Sequence, residues 1–124
     1  MNWTIVAIAS AMIVAFLVWK WLSFVSLDVA RKQLAQGALV IDVRSPEEFR
    51  SGHVPGAINI PLGELRESLP GRVTDKNQVL LLHCLSGGRS GIARRQLRSL
   101  GYPNVFNLGS YARAEQVVRS AQGG

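Results

Sequence analysis

At 124 residues the chain has room for one compact domain, and its single cysteine excludes an internal disulfide. The formal net charge of +6 would suit nucleic acid, but the arginines are scattered and no recognition motif or aromatic–basic interleaving accompanies them, so no nucleic-acid partner is expected. Two isolated histidines and one cysteine lack any ligand spacing, so no metal site is expected.

The chain opens on an apolar run, WTIVAIASAMIVAFLVW, with no charge from Trp3 to Trp19. Lys20 interrupts it, and Trp21 to Val25 continue it. A helix over residues 3–25 would be about 34 Å long, enough to cross a hydrocarbon core of about 30 Å. Trp3 lies at one end and Trp19 and Trp21 at the other, as interfacial anchors do, while Lys20 can snorkel to the headgroups. A cleaved secretory signal would want a basic leader and a small-x-small site, and Met1-Asn2 and SFVSLDVA offer neither well. The expectation is one uncleaved transmembrane helix in residues 1–25, followed by a domain over 26–124. Lys20, Arg31 and Lys32 all follow the span, so the positive-inside rule places that domain in the cytoplasm. Ala7, Ala11 and Ala15 form a small-xxx-small stripe that admits a weak dimer through the anchor, although alanine is common in membrane helices.

With Lys20 set aside, the domain carries 13 Lys+Arg against 8 Asp+Glu, a net of +5, which suits a neighbouring anionic leaflet. Ser26 caps a short helix, LDVARKQLAQ, ending at Gly37. ALVIDV (38–43) is apolar almost throughout and reads as a strand buried on both faces. Ser45-Pro46-Glu47-Glu48 is a capping box with proline at the first helical position. A short strand follows at Ala57–Ile60, then a helix, LGELRESL, stopped by Pro70-Gly71. QVLLLH (78–83) is the second long apolar strand. Behind it Ala93, Leu97 and Leu100 line one side of a helix ended by Gly101, with Arg94, Arg95 and Arg98 on a solvated face. NVFNL is a third such strand and SYARAEQVVRSA a final helix, with a frayed Gln-Gly-Gly end. Strands alternating with helices predict an α/β fold: a central parallel sheet flanked by helices on both faces, preceded by the transmembrane helix.

Ligands bind at the carboxyl ends of strands in such sheets. Cys84 occupies one of these ends, and Leu85, Ser86, Gly87, Gly88, Arg89 and Ser90 must turn the chain into the next helix. Gly87 and Gly88 permit left-handed angles, and a tight loop of this kind turns its N–H groups inward as an anion nest backed by a helix N-terminus. Such donors stabilise a thiolate and hold any anionic group the sulfur acquires, so Cys84 reads as a nucleophile.

Two separated stretches, IDVRSPEEFRSGHVPGAINIPL (41–62) and HCLSGGRS (83–90), make the chain resemble a single-domain rhodanese, a sulfurtransferase of the rhodanese/phosphatase superfamily. The resemblance runs over residues 26–108. It implies a loop of six residues, Cys84–Arg89, whose amides surround a cysteine persulfide; the phosphatase loop is one residue longer and holds a tetrahedral oxyanion. It implies thiosulfate or a persulfide as donor and cyanide or a thiol, free or on a partner protein, as acceptor, with no cofactor. Cys84 and Arg89 are then the catalytic pair, with Leu85 to Arg89 and Arg44 binding substrate and Asp42, His83 and Ser90 in support. Asp42 and Arg44 lie at the first strand's end, where their ion pair frames the loop. His53 reads as a structural histidine, and His83 as a residue on the opposite strand face from Cys84 that organises the loop. The C-terminus departs from the family pattern: Asn107-Leu108-Gly109-Ser110-Tyr111 has one glycine where Gly-Gly is usual and no tryptophan after it. Two other functions compete, a non-catalytic rhodanese-like scaffold at the membrane and a phosphatase or arsenate reductase.

Overall fold

The computed structural model describes residues 2–123. Helix α1 (Trp3–Leu22) is capped by Asn2 and has a mean hydropathy of 2.2 over its most apolar 18 residues, none of them buried. Its 20 residues span about 30 Å. The helix stops at Leu22 rather than running to Val25, because Val25 N–H leaves the helical ladder to donate to the Asn107 carbonyl at 2.9 Å.

The remaining elements alternate. Helix α2 (Leu27–Ala35) begins at the Ser26 cap, strand β1 is Leu39–Asp42, and helix α3 (Pro46–Ser51) starts from the complete Ser45/Glu48 capping box. Strand β2 (Ile58–Asn59) and a 3-10 turn at Leu62–Glu64 lead into α4 (Leu65–Arg72). Strand β3 (Leu80–His83), helix α5 (Gly88–Ser99), strand β4 (Val105–Gly109) and helix α6 (Tyr111–Gly123) complete the domain. The four strands pair in parallel in the order β2-β1-β3-β4.

Side-chain alternation along the strands builds two cores. Ile41, Leu80 and Leu82 pack with Leu65 and Leu69 of α4 and Ala93 and Leu97 of α5. Val40 and Leu81 turn the other way, onto Ala30 of α2 and Ala114, Val117 and Val118 of α6. The divergent C-terminal turn therefore still delivers a packed final helix.

Three local expectations need correction. Pro70-Gly71 does not stop α4, which continues to Arg72. An interior proline costs about 3 kcal/mol, but burial of Leu65, Leu69 and Val73 contributes about 1.5–3 kcal/mol each and offsets it. Arg94 is not on a solvated face: its Nε donates to the Val105 carbonyl at 3.0 Å, tying α5 to β4, while Arg95 and Arg98 are exposed. The expected fray at Gln122-Gly123 is helical to Gly123, and Gly124 lies outside the described residues.

Candidate active site

Cys84 follows the last residue of β3 and is 1% exposed, packed on the α4/α5 side of the sheet. Its own N–H donates to the Gly109 carbonyl at 3.2 Å, and the Tyr111 N–H donates to the Leu85 carbonyl at 3.2 Å. These bonds fasten the loop to the turn between β4 and α6. Gly87 has φ +100 and caps α5, and its N–H donates to Cys84 Sγ at 2.9 Å. Only Gly87 needs a left-handed backbone: Gly88, expected to share that role, is the first residue of α5 with open space around it. One positive φ suffices because the helix begins immediately afterward.

Burial alone would push the Cys84 thiol up. The Ser90 amide and hydroxyl, with the Gly87 and Ser86 amides, outweigh it and hold the thiol below its ordinary value. The Ser90 hydroxyl has one proton and three claimants, Asn107 Oδ1 at 2.7 Å, the Gly87 carbonyl at 3.2 Å and Cys84 Sγ at 3.6 Å. The shortest contact takes it, so backbone amides supply most of the stabilisation. A twelve-residue helix, α5, adds its N-terminal partial charge.

Asn107 was not anticipated. Its Oδ1 accepts from Ser90 and from the Gly109 N–H at 2.8 Å, and its Nδ2 donates to the Gly87 carbonyl at 3.3 Å. A lone asparagine inside the otherwise apolar stretch VFNL (105–108) is the signal that could have found it, since a polar side chain in a buried strand must find partners. Leu85, at 59% exposure, is the apolar lip of the loop.

Arg89 does not present a free cation. Its guanidinium grips Glu48 with two bonds, Nη1 to Oε1 at 2.7 Å and Nη2 to Oε2 at 3.0 Å. Glu48 Oε1 also accepts from the Ser45 N–H at 3.2 Å, so one carboxylate caps α3 and fixes Arg89. The Arg89 hydrogen bond, with that from Ser45, lowers the Glu48 carboxyl to about 2. In the sequence Glu48 is legible only as a cap.

The end of β1 holds a second, separate network. Arg44 Nε and Nη2 donate to the Asp42 carboxylate at 2.8–3.0 Å, Nη2 also donates to the Gly52 carbonyl at 2.8 Å, and the guanidinium lies 4.7 Å over the Tyr111 ring. Asn59 Nδ2 donates to the carbonyls of Asp42 and Arg44 at 3.0 Å, locking β2 to the same corner. Among the described residues no hydrogen bond joins Arg44 to the Cys84 loop, and Arg44 is 5% exposed. Its guanidinium is committed to this framework.

His83 faces away from Cys84, edge-on to Tyr111 with ring centroids 6.0 Å apart. Burial lowers its pKa; Asp42 and the Cys84 carbonyl pull it up, and Arg44 opposes them. Burial prevails, so the 3.8 Å approach of Nε2 to Asp42 joins a neutral ring to a carboxylate rather than an ion pair. Nδ1 lies 3.2 Å from the Cys84 carbonyl. His53 is exposed, stacked 3.9 Å over Phe49 with Nδ1 at the Phe49 carbonyl.

The site is thus a buried sulfur, lowered in pKa, with the amides of Ser86, Gly87 and Ser90 turned toward it. The rhodanese-like domain family model matches residues 26–113. The chain is 46% identical over 69 residues to thiosulfate sulfurtransferase PspE of Escherichia coli (strain K12), covering 56% of this chain but only 66% of that protein, just under two thirds of its length. It is 37% identical over 101 residues to the thiosulfate:glutathione sulfurtransferase of Homo sapiens, covering 70% of this chain and 88% of that one. The structure of the human single-domain sulfurtransferase TSTD1 superposes with a TM-score of 0.63 at 34% identity, over 73% of this chain and 93% of that one. Loop, sheet and relatives agree: the chain belongs to the rhodanese-like domain family.

Proposed function

We propose that the protein is a membrane-anchored sulfurtransferase that carries sulfane sulfur as a persulfide on Cys84. The observation that carries this reading is the Gly87 N–H on Cys84 Sγ at 2.9 Å within a loop that holds the thiol below its ordinary value. Names of relatives support it, since both the bacterial and the human proteins are called thiosulfate sulfurtransferases or a close variant.

In the first half-reaction the Cys84 thiolate attacks the outer sulfur of thiosulfate. A new S–S bond forms, the bond to the sulfonate breaks, and sulfite leaves with that electron pair. The terminal sulfur, anionic at neutral pH, takes its place among the loop N–H groups, where the start of α5 favours negative charge. In the second half-reaction cyanide or a thiolate attacks that sulfur, and Cys84 departs as the thiolate the cradle already stabilises. A persulfide donor or an acceptor thiol on a partner protein follows the same bookkeeping. Arg89 is neutralised by Glu48, so it borders the entrance as an oriented pair and the amides carry most of the anion recognition.

The exposed, 20-residue α1 supports anchoring, with Trp3, Trp19 and Trp21 at its ends. Lys20, Arg31 and Lys32 after the span support a cytoplasmic domain. Wild type should convert thiosulfate and cyanide to thiocyanate and remain in membranes after alkaline extraction, while Cys84→Ser makes no thiocyanate. Thiocyanate formation by Cys84→Ser would refute the chemistry. Alkaline release would refute the anchor. In sealed vesicles an impermeant thiol reagent should reach Cys84 only when the cytoplasmic face is outward.

A further inference from the structure

We propose that Phe24, in the segment joining α1 to the domain, is a positioning residue for the Cys84 loop. Its half-buried ring lies against the bare Cα faces of two glycines, Gly87 and Gly109. A Cβ on Gly87 would sit 2.7 Å from the ring's Cζ, and one on Gly109 would sit 2.9 Å from Cδ2. Both glycines have left-handed φ, +100 and +94, so each must be glycine for its backbone and again for the ring. Gly87 supplies the N–H that donates to Cys84 Sγ, and the Gly109 carbonyl accepts from the Cys84 N–H. The ring therefore packs on the two residues that hold Cys84 from either side.

Hydrogen bonds fix the ring in place. The Val25 N–H donates to the Asn107 carbonyl at 2.9 Å, and Arg113 Nη2 donates to the Val25 carbonyl at 2.6 Å. The Arg113 guanidinium covers the ring, 5.3 Å from its centroid. Asn107 passes the constraint inward through Ser90 and Gly87. The family match begins at residue 26, so Phe24 belongs to the N-terminal extension, and one residue separates it from the end of α1 at Leu22. The wall of the cradle is thus built by the juxtamembrane segment and does not depend on which sulfur donor is used.

The test measures iodoacetamide alkylation of Cys84 against pH in the full chain held in detergent micelles. Loosening Gly87 weakens about one hydrogen bond to the sulfur, so Phe24→Ala should slow alkylation near pH 7 by about three- to tenfold and move the profile to higher pH. Phe24→Leu should recover part of the loss, and Val29→Ala, at an exposed site on α2, should leave the profile unchanged. The Gly87 amide should exchange with deuterium faster in Phe24→Ala while the β1 amides do not. Should Phe24→Ala fail to fold, the Phe24→Leu profile decides: a shift toward higher pH supports the proposal. A profile for either folded variant that superimposes on wild type overturns it. Because alkylation needs no sulfur donor, the result stands apart from the outcome of the thiocyanate assay.

Discussion

Arg89 and Glu48, 41 residues apart, meet in a two-point ion pair whose bonds are 2.7 and 3.0 Å long. This pair joins the capping box of α3 to the rim of the cysteine loop, so the helix start and the loop act as one unit. Glu48→Gln keeps the shape and removes the charge. Freed of its fixed partner, Arg89 no longer orients the entrance, and kcat/KM for thiosulfate should fall roughly tenfold, the order of one charge-assisted pair partly open to solvent. The Glu48 carboxyl is depressed from 4.5 to about 2. Its contribution to stability is therefore complete above about pH 4.5 and is lost as pH falls toward 2. Acid titration of the unfolding midpoint should show that loss in wild type and not in Glu48→Gln.

Gly87→Ala and Gly88→Ala, adjacent and chemically alike, should behave oppositely. At Gly87 the left-handed φ alone costs about 1–2 kcal/mol for an alanine, before the Phe24 ring is displaced. At Gly88, in the first turn of α5 with no neighbour within 4 Å, alanine should be neutral or stabilise by up to about 1 kcal/mol. Urea denaturation of the two variants measures this directly.

How much of this was readable from the chain depends on distance along it. The capping box, the alternation of strands with helices and the turn after Cys84 are local patterns, and each appears where the sequence places it. The Arg89–Glu48 pair is not local, and nothing in the capping box announces that its glutamate has a second partner. Pro70 is a local stop signal that tertiary burial of Leu65 and Leu69 overrides. Phe24 looks like the tail of an apolar run, and its role exists only because two glycines from different loops converge beneath it. Arg44 and Asp42, two residues apart at the end of one strand, are local enough for their ion pair to be expected from the chain, and the pair is there.

Ser90→Ala removes a 2.7 Å bond to Asn107 and should cost about 1 kcal/mol of stability. The Ser90 amide remains and the hydroxyl proton goes mainly to Asn107, so Cys84 should stay reactive, with its alkylation profile moved only slightly toward higher pH. A profile moved to lower pH would contradict the donor role of this side chain.

His83 is fully buried and its pKa is lowered, first by that burial. The unfolded chain takes up a proton near the ordinary value of 6.5 while the folded ring stays neutral. The stability linked to His83 is thus complete above pH 6.5 and declines as pH falls below it. Chemical denaturation at pH 7.5 and pH 5.5 should show this decline in wild type, and His83→Gln should flatten it.

If Cys84 carries sulfur, the mass of the intact chain must change on exposure to thiosulfate. The chain should gain one sulfur atom, located on Cys84 by fragmentation and removed by cyanide. A Cys84 that iodoacetamide labels readily but thiosulfate leaves unchanged would contradict it.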